Sequence, residues 1–394
     1  MSDNKSTNVK VAPKQKEATK SKSVLREIME LLFIALILVP AINIFVLQSY
    51  AIPTSSMEGE MLVGDKLFVS KLSYGPRVPN TPLALPYVHN SIFGTKSYSE
   101  SMLLPYNRLP GFSDPKRDDI IVFNLPRDAD NKIPVDRRTN YVKRCVAQGG
   151  DTLQIKDRMI YIDGKAVETP ENAQYAYEVR IANRFATKKA QERFKSQLND
   201  IGIVEVFGET SGLNYVMMAS KTASEALVKM ENVTKVEVIT QEEGVFDPRT
   251  FPGDPQHKWN IDFYGPIYIP KTGDKITLDT TNYSIYERVI KVYENNPTLE
   301  FKDNQAYIDG KPIDAYEFKM SYFWMMGDNR HNSEDSRYWG MVPEDHIVGK
   351  PVFVWLSTSD ATRGTKEGSE KGFFSKLFSG DIGIRWGKSM RLVN

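Results

Sequence analysis

The sequence predicts a mainly β catalytic domain carried by one N-terminal transmembrane helix and interrupted by an inserted α+β subdomain of ferredoxin-like order. Three observations lead to this class. Leu31 to Leu47 (LLFIALILVPAINIFVL) is a run of 17 residues without a charge. From Gly64 to Leu356, short apolar stretches recur between Gly-Asp and Asp-Gly turns, the texture of strands. Residues 172–240 differ, reading strand, helix, strand, strand, helix, strand.

Residues 1–23 hold Lys5, Lys10, Lys14, Lys16, Lys20 and Lys22 among few apolar side chains, and read as a disordered basic segment. The membrane helix is placed over 24–50. At about 1.5 Å per residue the apolar run just crosses a hydrocarbon core of about 30 Å once its flanks contribute. Pro40 and Asn43 are tolerable inside such a helix. Lysines on the N-terminal side put that end in the cytoplasm and the rest of the chain outside. Ser49-Tyr50-Ala51 has small residues at the spacing of a cleavable leader, but the apolar run starts late and is long for one.

The first part of the β domain is assigned to 51–171. Gly64-Asp65 opens a strand through Lys71. Residues 76–115 carry seven prolines and read as an extended ribbon. Asp118–Phe123 (DDIIVF) and Tyr141–Val146 (YVKRCV) read as short strands, the second closed by Gly149-Gly150-Asp151. Tyr161-Ile162-Asp163-Gly164-Lys165 recurs as Tyr307-Ile308-Asp309-Gly310-Lys311, either a duplicated unit or a common hairpin turn used twice. The insertion is bounded at 172–264. Its strands are placed at Tyr175–Ile181, Ile203–Phe207, Leu213–Ala219 and Val233–Ile239, and its helices at Thr187–Leu198 and from Ser220 to Met230; no catalytic set lies within it. The β domain resumes over 265–357 and ends in the apolar strand Pro351–Leu356. The remainder, 358–394, reads as a polar linker and a basic, aromatic tail suited to an anionic lipid surface or to packing on the domain.

Composition narrows the function classes. Lys+Arg 51 against Asp+Glu 50 leaves no net field for nucleic acid. Cys145 is the only cysteine, which excludes an internal disulfide and a cysteine zinc cluster. His89, His257, His331 and His346 are scattered and read as surface or loop residues, so neither a metal nor a cofactor is expected.

The candidate chemistry centres on Pro53-Thr54-Ser55-Ser56-Met57, a few residues beyond the apolar run. A serine hydroxyl needs a base, and no histidine lies in a Ser/His/Asp context. A neutral lysine can serve if burial lowers its pKa by roughly 2–3 units, about 3–4 kcal/mol of environment. Lys143 sits inside an apolar strand on the face of Tyr141 and Cys145, with Arg144 pointing the other way. Lys291, in Tyr286-Glu287-Arg288-Val289-Ile290-Lys291, is a weaker rival.

Four stretches resemble, in order, the motifs of bacterial type I signal peptidases, membrane-bound Ser/Lys endopeptidases. They are Pro53–Met57, Gly64–Lys71, Tyr141–Asp151 and the long Gly327–Gly340 run GDNRHNSEDSRYWG. The resemblance covers about 24–75, 118–166 and 320–357. It implies Ser56 as nucleophile, Lys143 as general base, and the Ser56 N–H with the Thr54 hydroxyl as oxyanion hole. It further implies that Ser333 holds the lysine, that Asp335 and Arg337 form a supporting ion pair, and that Asp328 and Arg330 shape the loop. Ser55 reads as a spacer. The implied substrates are signal peptides of exported preproteins, cut after small residues one and three before the bond. Membrane lipid and the secretion translocon are the other implied partners, and the implied address is the outer face of the cytoplasmic membrane. Two departures, Met57-Glu58-Gly59-Glu60 and Ala147-Gln148-Gly149-Gly150-Asp151, fall on motif flanks and bear on pocket shape. The competing readings are an inactive membrane-anchored binding protein and a soluble-type Ser/Lys self-cleaving regulator. The membrane run opposes the regulator, and the Ser56/Lys143 pairing opposes the binding protein.

Overall fold

The computed structural model describes residues 24–209, 213–360, 379–380 and 382–393. The basic segment 1–23 and the linker at 361–378 lie outside the described residues. The chain opens with an apolar helix, α1 (Val24–Phe45), none of whose most apolar stretch is buried in the protein. Its turn widens at Ile34–Leu38, just ahead of Pro40. A wide turn there relieves the loss of the proline N–H and the clash of its ring. At about 1.5 Å per residue α1 is long enough to cross a bilayer core.

The helix stops short of the span read from sequence. Leu47–Ala51 is not its last turn but a strand, β1, paired antiparallel with β2 (Asp65–Ser70) from Leu47↔Ser70 to Ala51↔Lys66. Gln48, Ser49 and Tyr50 are polar, and β2 satisfies the backbone that leaves the helix.

Four further strands complete the frame of the site: β3 (Ile120–Asn124), β4 (Asn140–Gln148), β12 (Tyr322–Met326) and β14 (Ile347–Asp360). The main sheet is nine-stranded and runs β1, β2, β14, β3, β4, β12, then β13 (Val342–Pro343) at the far edge. All its pairings are antiparallel. Pro351–Leu356 lies inside β14 rather than ending the chain's β structure. Two short strands, β15 (Ile382–Ile384) and β16 (Arg391–Leu392), return and pair with β14. The tail therefore packs on the sheet edge, tied by Arg385 and Arg391 to the buried Asp65. Those ion pairs explain why a basic stretch docks instead of remaining in solvent.

One apolar cluster, with Ile52, Met57, Met61, Leu67, Val122 and Val354, fills the side of the sheet beneath Ser56. A second, with Ile121, Phe123, Cys145 and Trp339, fills the side beneath Lys143. The proline-rich ribbon holds a small hairpin, Ser91–Ile92 with Thr95–Lys96, and single antiparallel bridges Arg77↔Arg108 and Ala84↔Tyr98. Arg77 and Arg108 clamp it to backbone carbonyls of Glu344, Asp345 and Ile347.

Strands β5 (Thr152–Lys156), β6 (Met159–Ile162) and β11 (Tyr264–Tyr268) belong to a separate four-stranded sheet. The hairpin after β6 turns at Asp163-Gly164, and its sequence echo turns at Asp309-Gly310. All four residues have positive φ, so the two Asp-Gly pairs make the same tight turn. The inserted segment forms its own antiparallel sheet from β7 (Gln174–Ile181), β8 (Val206–Glu209), β9 (Asn214–Ser220) and β10 (Val233–Val238), in the order β8, β9, β7, β10. Helix α2 (Lys188–Asp200) is capped by the Thr187 hydroxyl and α3 (Lys221–Leu227) by that of Ser220. Phe194, Leu198, Ala223 and Leu227 bury the helices against Val179, Met217 and Ala219 of the sheet.

Candidate active site

Ser56 lies in the turn that follows β1. Ile52 closes the strand with hydrogen bonds to Asp65 and Gly64, after which Pro53 releases the chain from the sheet. One helical turn then forms, the Met61 N–H donating to the Met57 carbonyl. Both methionines are wholly buried and pin this turn to the core. The serine side chain is thus fixed by its successor's packing.

Lys143 reaches it from the middle of β4. Its Nζ is 2.5 Å from Ser56 Oγ, across 87 residues of sequence. The side chain is only 2 % exposed. The ammonium lies 5.4 Å from the centre of the Tyr141 ring. Burial lowers the amine from the usual 10.5 to about 8, against the opposing pull of Asp335, Asp328 and Glu334. Desolvation wins because those carboxylates are themselves neutralised by arginines.

The carboxylates come from the loop after β12. Asp335 takes a two-pronged ion pair from Arg337, at 2.9 and 2.8 Å, and accepts the Gly327 N–H at 3.1 Å. The Arg337 guanidinium holds its carboxyl below the ordinary range despite complete burial. Asp328 receives the same two-pronged geometry from Arg144, at 2.9 and 2.8 Å. The outward-pointing neighbour of Lys143 thus anchors the loop that faces it. The Arg330 side chain is buried, while its backbone joins Arg337 and Gln174. Thr54 Oγ1 lies 3.4 Å from Ser56 Oγ. The Ser333 hydroxyl is not joined to Lys143; it is buried without a partner at hydrogen-bond geometry. It packs beside Gly327, where an added Cβ would come 2.2 Å from Ser333 Oγ and 2.4 Å from the Ser56 carbonyl. Only glycine fits there.

Lys291, the rival base, is ion-paired with Glu287 at 2.6 Å, which raises its pKa, and it stands away from Ser56. Two histidines differ from the surface expectation. His346 is buried between Asp345 and Arg138, and His331 accepts the Ala176 N–H while donating to Asp262. Each has a charged or backbone partner that makes burial tolerable. Among the described residues no group of three or more His, Cys, Asp and Glu side chains is placed to hold a metal ion.

Sequence reasoning missed how the insertion meets the serine. Glu205, just before β8, accepts hydrogen bonds from the Asn329 and Asn332 amides at 3.1 and 2.8 Å. Those amides also hold the Ser55 carbonyl and hydroxyl, each at 3.2 Å, and the Asn329 N–H holds the Ser56 carbonyl. Ser55 is therefore an anchor and not a spacer. The Met57-Glu58-Gly59-Glu60 departure also gains a reason. A Cβ on Gly59, at φ +110°, would come 2.3 Å from the Asn172 carbonyl, so the glycine lets the insertion's entry lie against the serine turn. No local signal marks Glu205; the one available hint was the glycine at that unusual position.

A buried serine–lysine pair on a β scaffold, behind an apolar helix long enough to cross a membrane, has the parts a hydrolase with a serine nucleophile and a lysine base requires. The chain matches the family model described as signal peptidase, peptidase S26, over residues 25–220 and 269–356. It belongs to that family. Among its relatives is a signal peptidase I of Buchnera aphidicola, 23% identical, covering 80% of this chain and 70% of that protein. A Helicobacter pylori signal peptidase I is 25% identical over 82% of this chain and 80% of its own. One from Aquifex aeolicus is 22% identical over 84% of each. The family's members are serine endopeptidases that process signal peptides, and this chain is one of them.

Proposed function

We propose that Ser56 and Lys143 are the dyad with which this chain removes signal peptides from exported preproteins at the outer face of the cytoplasmic membrane. The observation that carries the reading is the 2.5 Å separation of a buried, deprotonatable amine from the Ser56 hydroxyl. In the first step Ser56 Oγ bonds to the scissile carbonyl carbon while its proton passes to Lys143 Nζ. The developing oxyanion takes hydrogen bonds from the Ser56 N–H, which has no acceptor among the described residues, and from the Thr54 hydroxyl. Lys143 then returns the proton to the leaving amine, and water repeats the sequence on the ester. The Asp335–Arg337 and Asp328–Arg144 pairs hold the loop opposite the dyad, and Ser333 closes its floor.

The helix α1 is the anchor, with the basic segment 1–23 in the cytoplasm and the catalytic domain outside. That puts Ser56 within a few residues of the lipid surface, where a membrane-held signal peptide presents its cut site. Specificity for small residues one and three before the bond, contact with lipid, and delivery by the translocon belong to the same reading. The β-α-β-β-α-β order, with its two middle sheet positions held by β7 and β9, supports treating the insertion as a ferredoxin-like subdomain. No nucleic acid, metal or cofactor enters the scheme. Cleavage of a purified preprotein by the wild type, Ser56→Ala and Lys143→Ala tests it. Full activity in either variant defeats the assignment.

A further inference from the structure

Pro40 leaves α1 with a carbonyl to satisfy. In the wide turn ahead of it, the Val39 N–H donates to the Ile34 carbonyl, five residues back. The next bond in that register would run from residue 40 to Ala35, and proline has no N–H to give. The Ala35 carbonyl instead accepts the Tyr87 hydroxyl, which comes from the proline-rich ribbon. Ala35 is ten residues before Phe45, the last residue of α1. At about 1.5 Å per residue it lies about 15 Å from the helix end, near the middle of a hydrocarbon core of about 30 Å. In a spanning helix no water reaches that depth, and an unanswered carbonyl there is costly.

The ribbon around Tyr87 suits the same surroundings. Residues 78–95 contain no Asp, Glu, Lys or Arg. Leu83, Leu85 and Tyr87 fall at alternate positions and are 50, 53 and 64 % exposed. The backbone beside them is paired within the ribbon. The Ser99 N–H donates to the Leu83 carbonyl and the Leu85 N–H to the Ser97 carbonyl, each at 2.8 Å. Pro82 and Pro86 have no N–H that needs a partner. Polar groups of the ribbon engage the domain instead. Thr81 donates to Asp136 at 2.7 Å, His89 meets the Arg138 carbonyl at 2.9 Å, and Arg137 donates to the His89 carbonyl at 3.0 Å. Leu36, Pro40 and Ile44 of α1 border one gap with Pro82, Leu85 and Tyr87. The ribbon thus sets an apolar edge with satisfied backbone against the part of α1 that lies inside a bilayer.

We propose that this edge is a second membrane element: Leu83, Leu85 and Tyr87 enter the leaflet next to the catalytic domain, beside α1, and face phospholipid acyl chains. The proposal rests on α1 as the membrane anchor and goes beyond the Ser56–Lys143 assignment, on which it does not depend. Lipid is the occupant because a water-soluble partner does not reach the depth of Ala35. One helix lets the domain swivel about its axis; a second attachment holds it in one orientation on the membrane.

The test places a nitrobenzoxadiazole-labelled cysteine at one position at a time in full-length enzyme, reconstituted in phosphatidylcholine vesicles. Leu83→Cys and Leu85→Cys probe the ribbon, Ile37→Cys the helix, and Val228→Cys, exposed on the insertion, the aqueous side. Cys145, the only native cysteine, is buried, so the unsubstituted enzyme is the blank. Doxyl-phosphatidylcholine should quench the Leu83 and Leu85 labels at least about twofold, as it does the Ile37 label, and iodide on both sides of the vesicle should change them less than about 1.2-fold. The Val228 label should show the reverse. p-Benzoylphenylalanine in place of Tyr87 should cross-link to residues 32–38 or to acyl chains. Ribbon labels that iodide quenches and the lipid quencher misses, the pattern of a face kept for a water-soluble protein, overturn the proposal. So do cross-links from position 87 confined to the catalytic domain. An Ile37 label that the lipid quencher misses overturns the anchor reading of α1, and the insertion of the ribbon with it.

Discussion

The sharpest consequence of a buried Lys143 is the pH dependence of catalysis. With its amine near 8, about 1% is neutral at pH 6, about 10% at pH 7 and half at pH 8. If the neutral amine is the base, kcat/KM should rise about 50-fold from pH 6 to pH 8 and at most about twofold beyond. A lysine at the usual 10.5 would instead give about a tenfold rise per pH unit through pH 9 with no plateau. The assay is kcat/KM on one purified preprotein, in detergent, from pH 6 to 9.5. A profile that is flat throughout, or that still climbs tenfold between pH 8.5 and 9.5, refutes the reasoning. The same shift sets a stability effect of defined sign. A folded-state lysine pKa below the unfolded value penalises folding fully below pH 8, and the penalty fades as pH rises toward 10.5. The penalty is about 3 kcal/mol, against about 1 kcal/mol for the lost hydrogen bond to Ser56. Lys143→Met should therefore unfold several degrees higher than wild type at pH 7, with the advantage shrinking at alkaline pH. A Met variant less stable at pH 7 contradicts this account.

Other outcomes follow from the surrounding geometry. Thr54→Ala should lower kcat by about 10²–10³ with little change in KM, while Thr54→Ser stays within about threefold, because only the hydroxyl is required. Gly327→Ala should cost at least about 10² in kcat by displacing the Ser56 carbonyl, and adding Ser333→Gly should not restore it; recovery in the double variant would show that the serine hydroxyl alone was in the way. Asp328→Asn leaves Arg144 buried without its anion and should destabilise the fold by about 3–5 kcal/mol, read as a lowered Tm. Glu205→Ala should reduce kcat about tenfold, and Glu205→Gln, which keeps an acceptor oxygen for Asn329 and Asn332, should recover most of it. Equal activity of wild type and Glu205→Ala would mean that the insertion does not position the serine.

Much of the site was legible because its chemistry rests on residue types in local order. Ser56 after a membrane run, Lys143 inside an apolar strand and the Gly327–Gly340 loop are each visible in a short window. The strands and helices of the insertion were likewise marked by periodicity and by the capping residues Thr187 and Ser220. Element ends were less legible. The membrane helix was read through residue 50 because Leu47 prolongs the apolar run, yet the chain turns to pair with β2 at that residue. The C-terminal strands were missed because Ile382–Ile384 and Arg391–Leu392 are too short to show a period. They exist only because β14 offers an edge and Asp65 a charge.

By itself the sequence determined which groups are the candidates for the chemistry and that an apolar run long enough to cross a membrane precedes them. A hydroxyl, an amine and their motif order are local properties of the chain. Only the tertiary structure decided that the amine is buried beside the hydroxyl, where it can serve as a base. Its lowered pKa arises from burial between β4, the serine turn and the loop after β12, which are far apart in sequence. The same holds for Ser55, Glu205 and Arg144. Each is an ordinary polar residue until folding fixes its partners, Asn329 and Asn332 for Ser55 and Glu205, and Asp328 for Arg144.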